Sequence, residues 1–275
     1  MKIIVFVLAL FCSCNTFLHA QETLYITSKH ISSTLPVLVQ LPSDYAPQKH
    51  YPLVIMLHGY SENYQQWSNT TNLQQLANSY QMILVCPEGY VSYYLNSPQL
   101  KHQQYERFFF DELVPFLERH YSIDAKNRFI TGLSMGGYGA LSLFIQHSSF
   151  FNTAAASSGA LEFDYENYRN ISLSFFGSER MTNDLKENLG NPVTNNWQQY
   201  SISTLLAQQP NFNKGFFLDC GLQDPLLSNT LRVKKQAISK GLPIRFAFQP
   251  GEHNSAYWAK AVEYHFVYFK QHLRE

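Results

Sequence analysis

The chain has 275 residues, and its 20 Lys and Arg balance its 20 Asp and Glu, so the formal net charge is zero. Charged residues make up 15% of the chain, whereas about 25% is usual in soluble domains. This balance argues against nucleic-acid binding, which depends on clustered cations that neutralise phosphates. The apolar share of 45% excludes a disordered chain and supplies side chains for one large core.

The first 20 residues have the pattern of a secretory signal peptide. Lys2 precedes an apolar run over residues 3–11, and the segment ends at the small residue Ala20. The run is shorter than the roughly 20 residues that span a bilayer, and no later segment approaches that length. We therefore predict cleavage after Ala20 and a secreted or periplasmic mature protein without stable membrane insertion. A membrane-resting anchor, a first strand and a lipid attached at Cys14 are the alternatives.

Residues 21–275 show an alternation of strand and helix patterns. Continuous apolar runs bounded by Gly and Pro predict strands that are covered on both faces. The runs cover residues 51–59, 82–89, 128–134, 153–159, 215–221 and 244–251, after an antiparallel opening pair at residues 24–33 and 35–42. Helical patterns cover residues 105–121, 138–147, 228–240 and 256–273. We predict a single α/β domain with a mostly parallel eight-stranded sheet and helices on both faces.

Residues 161–213 interrupt this alternation. The segment is polar and aromatic, and it lies between one predicted strand and the next. Connections of this length in compact domains usually form part of a binding or active site. We predict an insertion near the active site.

A G-x-S-x-G motif, Gly132-Leu133-Ser134-Met135-Gly136, follows the predicted strand at residues 128–134 and enters a helical run. This strand–turn–helix setting is typical of a nucleophile elbow. The sharp turn strains the backbone of the serine, and side chains two residues away on either side would collide. The motif predicts Ser134 as a nucleophile, the alternative being a glycine-rich turn with a bystander serine.

A serine nucleophile needs a general base and an acid that orients the base. His253 lies just beyond the last predicted strand, where hydrolases with this elbow carry the base. Asp224 follows the next-to-last strand and can reach the His253 loop, whereas Asp219 is a rival within that strand and Glu252 is poorly placed. We expect His58 to be a structural residue beside the site.

Two backbone N–H groups are expected to stabilise the oxyanion. Met135 follows the nucleophile, and Tyr60 lies in the loop after the third predicted strand. An ordinary glycine turn is the alternative for the Tyr60 loop. No metal-ligand spacing is found among the Asp, His and Cys residues, so neither a metal nor an organic cofactor is expected.

Together these segments resemble the esterase D-type branch of the α/β-hydrolases, which includes tributyrin, feruloyl and acetylxylan esterases, S-formylglutathione hydrolases and secreted mycolyltransferases. The resemblance is carried by Leu57-His58-Gly59-Tyr60 with Trp67, by Tyr93-Tyr94-Leu95-Asn96-Ser97-Pro98, by the stretch from Gly132 to Ala140, by Leu218 to Asp224, and by Gly251-Glu252-His253-Asn254 with Tyr257-Trp258. It supports Asp224 over Asp219. Asn96, Glu252 and Asn254 depart from the family pattern, which puts substrate contacts in doubt and leaves the triad intact.

The resemblance implies an order of strands in which Cys86 and Cys220 lie about 20 Å apart. A disulfide requires Cα atoms within about 7 Å, so both are expected to be buried free thiols. Aromatic side chains are expected to line the substrate pocket together with Asn96. They are Tyr60, Trp67, Tyr90, Tyr93, Tyr94, Tyr138 and Trp258.

The resemblance and the motifs predict a secreted serine carboxylesterase that forms an acyl-enzyme. Its expected partner is a small-molecule or polysaccharide-linked ester, such as an acetyl or feruloyl ester of plant polysaccharide or a short-chain acyl ester. An acyltransferase and a thioesterase similar to S-formylglutathione hydrolase are alternatives, although the latter's substrate is cytosolic. An inactive carbohydrate-binding homologue is the alternative of another class.

Overall fold

The computed structural model describes residues 20–275, which form an eight-stranded sheet. The strands are Gln21–Thr27 (β1), Thr34–Gln40 (β2), Tyr51–Leu57 (β3), Ile83–Pro87 (β4), Ile123–Leu133 (β5), Thr153–Ser157 (β6), Phe217–Gly221 (β7) and Arg245–Gln249 (β8). Their order in the sheet is β1-β2-β4-β3-β5-β6-β7-β8. Strand β2 pairs antiparallel with β1 and β4, and the remaining neighbours are parallel. The predicted sheet and its antiparallel opening pair are confirmed.

Helices connect the strands and close the chain. They are Gln66–Thr70 (α1), Leu73–Tyr80 (α2), Tyr105–Phe108 (α3), Val114–His120 (α4), Met135–Gln146 (α5), Tyr165–Phe176 (α6), Arg180–Leu189 (α7), Ile202–Gln208 (α8), Leu227–Ser239 (α9) and Ser255–Lys270 (α10). A π-helical turn, Phe109–Leu113, joins α3 to α4, so the helix predicted over residues 105–121 contains a wider turn in its middle.

Side chains of the sheet pack into two hydrophobic clusters, one on each face. In β3, Leu53, Ile55 and Leu57 belong to one cluster, whereas Val54 and Met56 belong to the other. The first cluster includes residues of α3 to α9, and the second includes residues of α1, α2 and α10. Because side chains alternate across a strand, both faces are covered, as the continuous apolar runs predicted.

Parallel strands bring their carboxyl ends to one edge of the sheet. The loops after β3, β5, β7 and β8 begin there, and they carry the His58–Tyr60 stretch, Ser134, Asp224 and His253. The predicted insertion at residues 161–213 forms α6, α7, a 3₁₀ turn at Trp197–Tyr200 and α8 between β6 and β7. The fold therefore gathers the predicted reactive residues although they are distant in sequence.

Most of the expected signal peptide and the alternative lipidation position Cys14 lie outside the described residues. Within residues 20–275, no helix combines the length and the apolar character that crossing a bilayer requires.

Strands β4 and β7, which carry Cys86 and Cys220, are separated by β3, β5 and β6. Both cysteines are buried and unpaired in the part of the chain that the structure describes. The sheet order and the free thiols agree with the expectation from the resemblance.

We predict that protein lacking residues 1–20, denatured without reductant, titrates as two free thiols with a thiol reagent. The native protein should react far more slowly, because both sulfurs are buried and burial raises the pKa of both Cys86 and Cys220. A denatured protein with no free thiol would contradict this strand order.

Candidate active site

Ser134 occupies a sharp turn between β5 and α5. Its backbone has φ of 53° and ψ of −119°, a region that residues other than glycine rarely adopt. Neighbouring backbone groups hold this conformation. The Ser134 N–H donates to the Ser157 carbonyl at 3.0 Å, and its own carbonyl accepts from the N–H of Ala160 at 3.0 Å. The serine is therefore fixed at the start of α5, where the helix dipole favours negative charge.

The two outer glycines of the motif make this turn possible. A Cβ atom on Gly132 would collide with the backbone of Gly136, and one on Gly136 would collide with the carbonyls of Leu57 and His58. These contacts agree with the steric argument from the sequence. They also set the start of α5 directly against the end of β3, which brings the His58–Tyr60 loop beside Ser134.

His253 links Ser134 to Asp224. Its Nδ1 lies 2.9 Å from Asp224 Oδ2, and its Nε2 lies 3.0 Å from Ser134 Oγ. A carboxylate can only accept, so Nδ1 carries the proton in the neutral imidazole and Nε2 is left to accept from the serine hydroxyl. The three predicted residues thus form one hydrogen-bonded chain with the polarity that nucleophile activation requires.

Asp224 is held as a carboxylate. Burial of its side chain opposes ionisation, but the hydrogen bond and charge of His253 and the Leu226 N–H, at 2.7 Å, hold the pKa of this carboxyl below its ordinary value. The loops after β7 and β8 are tied together, because the Gln223 N–H donates to the Gly251 carbonyl at 3.0 Å and the Gly251 N–H donates to Gln223 Oε1 at 2.8 Å. Asp224 and His253 therefore keep a fixed separation.

Asp219, the rival acid, belongs to a different cluster. Its two carboxylate oxygens are hydrogen-bonded to Ser157 Oγ and His265 Nε2, and His265 Nδ1 contacts Thr131 Oγ1 at 2.7 Å. The side chains of this cluster are buried between the sheet and α10. Glu252, the other rival, is exposed and makes no side-chain hydrogen bond to His253.

The peptide unit between Gly59 and Tyr60 is oriented by its carbonyl. The Gly59 oxygen accepts from His58 Nδ1 at 2.8 Å and from the Glu62 N–H at 3.3 Å. A planar trans peptide then directs the Tyr60 N–H to the opposite side. Within residues 20–275, the N–H groups of Tyr60 and Met135 have no protein acceptor. His58 is buried, and its Nε2 lies 2.8 Å from the Gly89 nitrogen and 3.2 Å from Glu88 Oε1, in agreement with its expected structural position.

A cavity of about 380 Å³ opens beside Ser134 and His253. Its apolar wall consists of Leu133, Phe175, Phe176, Met181 and Trp258. The rings of Phe175 and Trp258 lie 4.9 Å from the His253 imidazole on centroid distances. Cavities of similar volume lie beside α10 and beside Tyr90, so the reactive groups and not the volume distinguish this one.

Most of the expected pocket residues lie elsewhere. Tyr60 and Trp258 line the cavity, but Trp67 is fully buried and donates from Nε1 to the Leu57 carbonyl at 3.0 Å. The Tyr94 hydroxyl donates to the His58 carbonyl, and the Tyr138 hydroxyl donates to the Tyr200 carbonyl.

These tyrosines support the loops from behind, because their hydroxyl groups satisfy buried backbone carbonyls. Tyr93 is also buried, and Tyr90 lines the separate cavity that includes Ile31. Asn96 Oδ1 accepts a hydrogen bond from the Arg107 N–H of α3. The expectation that Trp67, Tyr94, Asn96 and Tyr138 line the pocket is therefore wrong for this cavity.

The segment at residues 161–213 supplies wall residues that sequence reasoning missed. Phe175 and Phe176 end α6, and Met181 lies in the first turn of α7. The only sequence signal was the length and aromatic content of the segment, which does not say which side chains turn inward. No group of three or more His, Cys, Asp and Glu side chains within residues 20–275 is arranged to hold a metal ion.

The family model described as "Putative esterase" matches residues 28–273 of the chain. The chain is similar to an acetyl esterase from Caldicellulosiruptor saccharolyticus, with 26% identity over 250 residues that cover 86% of this chain and 92% of that protein. It is 23% identical to S-formylglutathione hydrolase from Arabidopsis thaliana over 274 residues, which cover 89% and 92% of the two proteins.

Among solved structures, a ferulic acid esterase superposes with a TM-score of 0.74 at 23% identity, covering 92% of this chain and 98% of the other. That similarity shows a shared fold. Together with the family match, it confirms the resemblance drawn from the motifs. The chain therefore belongs to the esterase family that this model describes, and it is a carboxylic-ester hydrolase with the α/β-hydrolase fold.

Proposed function

We propose that the protein is an exported serine carboxylesterase that works through an acyl-enzyme on Ser134. The observation that carries this proposal is the hydrogen-bonded chain from Asp224 through His253 to Ser134 Oγ. The N–H groups of Tyr60 and Met135, which have no protein acceptor within residues 20–275, support it. The apolar run and small residue at the N-terminus support export.

In the first half-reaction, Ser134 Oγ attacks the ester carbonyl carbon while its proton moves to His253 Nε2. Asp224 stabilises the resulting imidazolium through Nδ1 and remains ionised. The N–H groups of Tyr60 and Met135 bind the oxyanion of the tetrahedral intermediate. When the intermediate collapses, the bond from carbon to the alcohol oxygen breaks, and the alcohol leaves with the proton from Nε2.

In the second half-reaction, water attacks the acyl-Ser134 carbonyl and gives a proton to Nε2. When the second tetrahedral intermediate collapses, the bond from carbon to Ser134 Oγ breaks, His253 Nε2 returns this proton to Oγ, and the carboxylic acid is released. Every proton that is taken up is returned, so the cycle needs no external acid, metal or cofactor.

The substrate class that the cavity favours has a short or compact acyl group. Phe175, Phe176 and Met181 bound the space beside His253, and the volume of about 380 Å³ is near the small end of ligand sites. The names of two similar proteins, an acetyl esterase and a ferulic acid esterase, support acetyl or feruloyl esters, including those on polysaccharide.

Thioester hydrolysis is a second candidate, which the similarity to S-formylglutathione hydrolase favours. The same residues would act on either substrate, because a thiolate leaves more readily than an alkoxide. The ratio of kcat/KM for p-nitrophenyl acetate to that for S-formylglutathione separates the two. Our proposal expects the ester to be the better substrate, and a large preference for the thioester would favour the second candidate.

We predict that Ser134→Ala lowers kcat for p-nitrophenyl acetate by about 10⁴- to 10⁶-fold, since members of a triad act as a unit. Ser142→Ala removes a hydroxyl from the same helix region outside the cavity and serves as the matched control. The control should retain its activity. A folded Ser134→Ala enzyme that keeps a tenth of wild-type kcat would refute the assignment.

We predict that Asp224→Asn lowers kcat per folded molecule by about 10⁴-fold, because an amide permits the wrong His253 tautomer. Asp219→Asn should mainly reduce the free energy of unfolding, by about 3 kcal/mol, because it breaks a buried ionisable cluster. Steady-state kinetics and denaturant melts compare the two variants. A larger loss of kcat in Asp219→Asn would move the acid to Asp219.

We predict that Phe175→Ala raises the ratio of kcat/KM for p-nitrophenyl octanoate to that for p-nitrophenyl acetate by about tenfold, since removal of the ring enlarges the cavity. Leu173→Ala is the matched control, because Leu173 is 39% exposed on the same helix and does not line the cavity. Equal ratios in the two variants would contradict the placement of the acyl group beside Phe175.

A further inference from the structure

Helix α7 faces the loop at residues 59–62, here called the oxyanion loop. Arg180 and Asp184 are four residues apart and so lie on the same side of the helix. Both reach the loop, although its residues precede them by more than a hundred positions in the chain. The contact joins the insertion to the strand edge on which the proposed catalytic groups lie.

Asp184 accepts a hydrogen bond from the Tyr60 hydroxyl through Oδ2. Tyr60 is 7% exposed, and burial together with this carboxylate raises the pKa of its phenol to about 12. Tyr60 is therefore neutral at physiological pH and always able to donate. Within residues 20–275, the Asp184 carboxylate forms no salt bridge, and its side-chain hydrogen bond is the one from Tyr60.

Arg180 lies over the face of the same Tyr60 ring. Its guanidinium carbon lies 5.4 Å from the Tyr60 ring centroid and 4.9 Å from that of Phe176. Its Nη2 also donates to Ser61 Oγ. Ser61 has φ of 62°, a left-handed conformation that costs energy in a residue other than glycine. Arg180 thus contacts the loop at the residue where its backbone is strained.

We propose that Asp184, supported by Arg180, is a positioning residue for the oxyanion site. The inference rests on the proposed function, in which the Tyr60 N–H binds the oxyanion. His58 fixes the carbonyl end of the Gly59–Tyr60 peptide, and Asp184 fixes the Tyr60 side chain beyond its other end. With both ends held, the N–H keeps its direction before substrate arrives, which is the preorganisation that oxyanion stabilisation requires.

This arrangement gives the insertion two roles. Through Phe175, Phe176 and Met181 it bounds the cavity, and through Asp184 it orients a donor for the transition state. A substitution in α7 that breaks these contacts therefore changes the reaction rate as well as the acyl-chain preference.

Two variants remove the interaction from opposite sides. Tyr60→Phe removes the hydroxyl, and Asp184→Ala removes the acceptor. Each should lower kcat for p-nitrophenyl acetate by about 10- to 100-fold, below the full loss of an oxyanion donor, with KM changed less than about threefold. Glu187→Ala is the matched control. Glu187 is an exposed acid on the same helix, and its side chain forms no hydrogen bond or salt bridge within the described residues.

Three further measurements distinguish positioning from a general structural effect. The inhibition constant of benzeneboronic acid, a mimic of the tetrahedral oxyanion, should rise by the same factor as kcat/KM falls. Asp184→Asn keeps an acceptor oxygen and should recover most of the rate. The double variant Tyr60→Phe/Asp184→Ala should be no slower than the slower single variant, because both remove one interaction.

Wild-type kcat in both folded single variants would overturn the inference. It would also be overturned if the losses of rate add in the double variant, or if the inhibition constant of benzeneboronic acid does not change. If Asp184→Ala does not fold, Tyr60→Phe and Asp184→Asn decide the question with the same measurements. Failure of the inference is separate from failure of the proposed function. An inactive Ser134→Ala enzyme beside a fully active Tyr60→Phe enzyme rejects only the role of Asp184, whereas an active Ser134→Ala enzyme rejects both.

Discussion

The left-handed backbone of Ser134 is the constraint on which the rest of the active site depends. It turns the chain from β5 into α5 within one residue and exposes Oγ at the carboxyl edge of the sheet. The turn is possible because Gly136 packs directly on the carbonyls that end β3. The same close packing brings the loop that begins at Gly59 beside Ser134, so one contact between backbones positions both the proposed nucleophile and the proposed oxyanion loop.

Sequence reasoning succeeded where chemistry and chain position coincide. The strands were predicted because their apolar runs are continuous, and the order of Ser134, Asp224 and His253 along the chain placed each at the end of a strand. Parallel strands end at one edge, so the three side chains had to meet there. In the structure Asp224 contacts His253, whereas Asp219 contacts His265 in the core.

The walls of the cavity could not be predicted in the same way. Trp67, Tyr94 and Tyr138 lie near the motifs in sequence, but their rings pack behind the loops and bond backbone carbonyls. Phe175 lies in a helix of mixed polarity, whose inward face depends on how the insertion folds over the sheet. The contact between Tyr60 and Asp184 joins residues separated by 124 positions, and no local pattern indicates it.

A covalent label on the nucleophile tests the central claim most directly. The native protein should react with a fluorophosphonate to one adduct per chain, and peptide mass spectrometry should locate that adduct at Ser134. The proposed mechanism assigns the activated hydroxyl to Ser134, because His253 Nε2 lies 3.0 Å from its Oγ. An adduct on another residue, or no adduct in protein that hydrolyses esters, would contradict the account.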